Sequence, residues 1–135
     1  MDLYYKAVDA TGSVRRSLIV GDSRMGMDYI PGEWVNAKIG GILVFSEIAA
    51  AQLFVLGLEG YEIWECEVSD PVALPPYRLT NITVIEDLSI VKDFWNTNIP
   101  NGYQYIDDPW PTFTSAFRKI KLTTLVDQDL SIRAA

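Results

Sequence analysis

Between Gly40 and Val68 the spacing of hydrophobic residues changes period, and the chain reads there as strand, helix and strand. Ile42-Leu43-Val44-Phe45 is a short apolar run behind Gly40-Gly41, the mark of a buried strand. Ser46 stands where a helix N-cap belongs, and Glu47 puts a negative charge into the first turn, where exposed N–H groups favour it. An apolar stripe at Ile48, Ala51 and Val55 marks the helix, which ends at Gly57 or Gly60, since glycine takes the left-handed conformation of a C-terminal cap. From Tyr61 the period drops to two. Trp64, Cys66 and Val68 fall on one face of a strand, and Ile63, Glu65 and Glu67 on the other.

The flanking segments extend this pattern. Leu3–Val8 and Val14–Val20 have strand character around the turn residues Asp9 to Ser13, and pair as a hairpin. Gly21–Met27 is a loop, and a Pro31-Gly32 turn leads into a strand from Trp34. Beyond the break at Ser69-Asp70-Pro71, Pro75 and Pro76 keep the chain extended before a strand over Leu79–Ile85. Glu86–Asn96 is a second helix, with acids at its start and Leu88, Val91, Phe94 and Trp95 at helical spacing. Thr97–Thr112 is a long polar-aromatic loop, Phe113–Val126 a strand and Asp127–Ala135 a frayed tail. The expectation is one small α+β domain over residues 1–135, an antiparallel β-sheet with two helices packed on it.

Composition narrows the function more than the fold. An apolar fraction of 49% rules out a disordered chain. No apolar run approaches the roughly 18–20 residues of a membrane span, and the opening MDLYYKAVDA lacks the form of a signal peptide. A single cysteine fits a reducing cytoplasm, so a cytoplasmic protein is expected. A net charge of −7 argues against a binder of duplex nucleic acid, and no membrane partner is expected. The basic residues nevertheless gather locally, as Arg15, Arg16 and Arg24 near one end and Arg118, Lys119 and Lys121 near the other, and such clusters suit a small anion.

No catalytic set emerges. The chain has no histidine, which removes the commonest general base and metal ligand, so neither a metal nor another cofactor is expected. Glu65 and Glu67 read as solvent-side acids, Asp107 and Asp108 as loop acids, and Cys66 as an inert core thiol. The Gly-rich segment around Arg24 lacks the ending of a phosphate-binding loop. Arg24 and Arg118 are the phosphate partners the chemistry allows. Arg118 is expected on the same strand face as Ile120 and Leu122.

The order of short motifs resembles a known family. It runs through Tyr5-Lys6-Ala7-Val8, the set Tyr29, Gly32 and Trp34, the set Gly41, Leu43, Val44 and Phe45, and the run Ile63, Glu65, Cys66, Glu67 and Val68, ending on the basic strand from Arg118 to Leu122. This looks like the first type of Thoeris anti-defence protein, a phage-encoded sponge. The resemblance covers residues 3–68 and the last strand, and leaves Pro71 to Pro111 outside it. It implies a homo-oligomer in the host bacterial cytoplasm that sequesters a cyclic ADP-ribose-like or cyclic nucleotide signal and is not an enzyme. The candidate ligand-binding residues are Arg24, Trp95, Asn96, Asn98 and Arg118, of which Trp95, Asn96 and Asn98 fall in the unmatched stretch where part of the pocket should lie. Two alternatives stand beside it: an interaction or virion-associated protein without a small ligand, and an enzyme of ADP-ribosyltransferase-like fold.

Overall fold

A computed structural model describes residues 3–11, 15–17, 28–37, 40–74, 78–79, 95, 105–106 and 113–129. Nine strands and one helix lie among them: β1 (Tyr4–Asp9), β2 (Arg15–Ser17), β3 (Asp28–Tyr29), β4 (Trp34–Asn36), β5 (Ile42–Phe45), α1 (Ile48–Phe54), β6 (Tyr61–Val72), β7 (Arg78–Leu79), β8 (Tyr105–Ile106) and β9 (Thr114–Gln128). β7 and β8 pair separately, and the other seven strands form one antiparallel sheet.

That sheet closes on itself. β1 pairs with β6, β6 with β9, β9 with β5, and β5 returns to β1 through Tyr5↔Phe45. Tyr5 also pairs with Glu65 of β6, so its two partners lie on opposite edges of β1, as closure requires. β9 is the spine, with β6 along one edge and β5 then β4 along the other. The β2–β3 ribbon extends β1. A turn in which Glu33 N–H donates to Ile30 O at 3.0 Å, with Gly32 at φ 84, then carries the chain over to β4. Only glycine takes that φ at no steric cost, and Pro31 presets the residue before it, the arrangement of a type II turn.

Alternation along each strand sorts the side chains. Val8, Tyr29, Ile42, Val44, Trp64, Cys66, Phe117, Ile120 and Leu122 form the inner core, drawn from five strands. On the outside, Ala7, Phe45 and Ile63 make a second apolar patch, which α1 covers with Ala51 and Val55. Each fully buried aliphatic side chain in these clusters contributes about 1.5–3 kcal/mol. The expected split of Trp64, Cys66 and Val68 from Ile63 is what the two clusters show.

Several expectations need correction. The α+β arrangement with two helices on a sheet is not observed: the structure is mostly antiparallel β, with α1 the one helix among the described residues. The physical reason is the closure, since the inner face of the sheet fills its own core and the outer apolar patch among the described residues is taken by α1. The expected second helix, 86–96, lies outside the described residues except for Trp95, which is helical, and most of the expected strand 79–85 lies outside them too. Glu47 rather than Ser46 is the N-cap of α1, because Ser46 N–H is already committed to Phe113 O at 2.9 Å in line with the β5–β9 ladder. Nor does the chain fray at 127. β9 runs to Gln128, and Asp129 N–H donates to Tyr61 O at 2.9 Å.

Candidate functional site

Of the five residues expected to hold a ligand, Arg24, Asn96 and Asn98 lie outside the described residues. Trp95 and Arg118 are described, and both adjoin the crossover from β4 to β5. Ala37 N–H donates to Arg118 O at 2.7 Å, which fixes the start of the crossover. At its end Gly40, with φ 66, lies so close under the Trp95 indole that a Cβ there would fall within the ring.

Arg118 does not share the face of Ile120 and Leu122, as the plain alternation of β9 predicts. It is exposed, while Ile120 and Leu122 are buried. Phe117 and Ile120, three residues apart, both enter the inner core, so the pleat shifts between them. The shift coincides with Asp70, which sits across from Arg118 between Ser69↔Lys119 and Pro71↔Phe117 and takes φ 61. Here β9 carries three cations, Arg118 and Lys119 exposed and Lys121 half-buried. Lys121 Nζ lies 3.1 Å from Glu67 Oε2, and Lys119 Nζ 4.0 Å from Asp70 Oδ2. Arg118 makes no ion pair or side-chain hydrogen bond among the described residues.

A second charged group, which the sequence reading did not single out, lies inside the barrel. Glu62 is 1% exposed, and its Oε1 accepts from Arg15 Nε at 2.6 Å and from Trp64 Nε1 at 3.0 Å. The Arg15 guanidinium lies over the Trp64 ring, 5.1 Å from its centroid. Glu62 reaches this position by strand parity, as the inward residue before Trp64, and the β1–β2 hairpin brings Arg15 to it from 47 residues away in sequence. Two donors on one carboxylate oxygen are what a buried charge needs, and they make this cluster a structural anchor.

Lys6 is the other inward charge. Its side chain is half-buried by area, yet the ammonium itself is enclosed, donating to Leu43 O at 3.0 Å and lying 5.8 Å from the Tyr29 ring centroid. Burial lowers its pKa to about 8, with the nearby Cys66 opposing the shift, and burial pushes the Cys66 thiol up to about 12 against the pull of Lys6. That thiol is protonated at neutral pH and inert, as its place on the inner face predicts.

These shifts fix a pH dependence. Between about 8 and the ordinary lysine value of 10.5 the unfolded chain holds more protons at Lys6 than the folded one, so stability rises with pH there. Cys66 acts the other way, since above the ordinary thiol value of 9.0 the unfolded chain loses a proton that the folded chain keeps up to about 12. Stability should therefore rise from pH 8 to 9 and then level or fall, and Lys6→Met should remove the rise. Urea midpoints at pH 7, 8, 9 and 10 read this directly, and an unchanged slope in the variant would contradict it.

Among the described residues no three His, Cys, Asp or Glu side chains gather as metal ligands, and no helix is long and apolar enough to cross a membrane. Compared with known proteins, the chain matches no family model, no curated protein and no solved structure.

Proposed function

We propose that the protein binds a small phosphorylated nucleotide and holds it without turning it over, as a phage anti-defence sponge does with a cyclic ADP-ribose-type signal. The observation that carries this reading is Arg118: an exposed guanidinium without a carboxylate partner among the described residues, on a strand whose two lysines are both paired, in a chain of net charge −7. An arginine left free in an acidic protein is suited to a phosphate, which its planar fork contacts through two N–H groups. Trp95 adds an aromatic ring at the other end of the same crossover. The acids nearest this face are engaged by lysines, which fits retention of a ligand better than proton transfer to it.

Calorimetric titration of the wild type and of Arg118→Ala with cyclic ADP-ribose isomers and cyclic dinucleotides tests the reading. The substitution should cost about 1.5–3 kcal/mol of affinity, the worth of a charge-assisted contact. It should leave thermal stability unchanged, because the side chain is exposed. Absence of binding by the wild type across the panel would end the reading, and equal binding by the variant would remove Arg118 from it.

A further inference from the structure

Trp34 is 45% exposed, the one exposed tryptophan among the described residues, and its position is set by the same strands that carry Arg118. On β4 it lies directly opposite Lys121 of β9, and Lys121 in turn lies opposite Glu67 of β6. The Lys121 ammonium sits 5.2 Å from the centroid of the Trp34 ring and 3.1 Å from Glu67 Oε2. The ring is thus braced by a lysine that is itself braced by a carboxylate. An aromatic ring held in place at this exposure on an open strand face is a stacking surface prepared before any ligand arrives. One step along the same ladder Asn36 lies opposite Lys119, and Ala37 N–H then donates to Arg118 O.

Charge sorts this face into two parts. Lys121 lies against Glu67 and Lys119 near Asp70, whereas Arg118 has no ion pair among the described residues. From Lys121, the partner of Trp34, to Arg118 is three residues, about 10 Å of strand. The face therefore offers a flat aromatic contact and, within reach of a long arginine side chain, an anion contact. A ligand that matches both has a planar ring at one end and a phosphate at the other.

We infer that Trp34 is the base-stacking platform of the nucleotide site, with Arg118 taking the phosphate. This rests on the reading of the protein as a nucleotide binder and adds to it the residue that recognises the base. Stacking on an exposed ring is tolerant of base identity, because every base has a π-face, so purine and pyrimidine nucleotides should differ little in affinity.

The test uses 5′-AMP, which has base and phosphate, and ribose 5-phosphate, which has the phosphate alone, titrated into the full chain with each nucleotide the wild type binds as a further arm. Trp34→Ala should weaken 5′-AMP about tenfold or more and leave ribose 5-phosphate unchanged, while Trp34→Phe, which keeps a stacking ring, should restore most of the loss. Arg118→Gln should weaken both ligands. If the wild type binds nucleotides and Trp34→Ala binds them equally well, the platform is wrong and the nucleotide reading stands. If Trp34→Ala weakens ribose 5-phosphate as much as 5′-AMP, Trp34 supports the fold of the face and stacks no base. If the wild type binds no phosphorylated ligand, the reading falls and this inference falls with it.

Discussion

Glu62→Ala should lower the free energy of unfolding by about 2–3 kcal/mol, the cost of leaving a buried indole N–H and a half-buried guanidinium without their acceptor. The carboxylate it removes is the acceptor for both Arg15 Nε and Trp64 Nε1, and it is 1% exposed, so water replaces it poorly. The loss comes from what remains: an indole N–H in the core without its acceptor, and a half-buried guanidinium without its carboxylate. Glu62→Gln keeps an oxygen for Trp64 and loses only the charge, and should cost distinctly less. Replacing both partners, as in Arg15→Met with Glu62→Ala, should recover much of the single loss, because no unpaired charge is left behind. Urea denaturation of the four proteins tests this. A Glu62→Ala cost below about 1 kcal/mol, the range of an exposed pair, would show that the carboxylate is solvated rather than built into the core.

Gly40→Ala is the second large effect, expected at about 2–4 kcal/mol. A Cβ at this position falls within the Trp95 indole, and φ 66 already disfavours any side chain. Forcing one methyl into packed structure costs about 1–3 kcal/mol, and the left-handed backbone adds about 1 kcal/mol. The steric part depends on Trp95 and the backbone part does not. In a Trp95→Ala background Gly40→Ala should therefore cost only about 1 kcal/mol, the residue of the backbone term. An undiminished cost in that background would mean that Trp95 gives way freely and that the strain lies in the backbone alone. Gly32, at φ 84 with no atom within 4 Å of a Cβ, is the control in which only the backbone term acts.

The sequence makes the local elements legible and leaves the closure hidden, for physical reasons that individual residues show. β5, α1 and β6 announce themselves because their periodicity and glycine punctuation are local, and α1 buries Ala51 and Val55 of the expected stripe. Closure rests on Tyr5↔Phe45, a pairing forty residues apart that no local pattern encodes. Closure puts most of the described chain into antiparallel strand, which is why the α+β expectation fails.

The inner charges were half legible. Parity from Trp64 and Cys66 places Glu62 on the inner face, and parity from Tyr4 and Val8 places Lys6 there, so both could have been flagged as inward charges. That Arg15 answers Glu62 follows only from the hairpin that brings β2 beside β1. Arg118 shows the opposite failure, for alternation counted from Ile120 assumes an unbroken pleat. It does not hold between Phe117 and Ile120, which both face the inner core, across from Asp70 at φ 61. The exposure of Trp34 comes from its place on β4, which pairs with β9 on one side only among the described residues, and no local pattern marks it.

The claim that this protein retains a nucleotide without changing it is tested most directly by recovering the ligand. The wild type is loaded with cyclic ADP-ribose, freed of unbound ligand, held for hours and denatured, and the released compound is identified by chromatography and mass. The account predicts stoichiometric recovery of the intact cyclic molecule, with Arg118→Ala retaining markedly less. Recovery of a linear or hydrolysed product that forms only with the folded protein would contradict it and make the protein an enzyme.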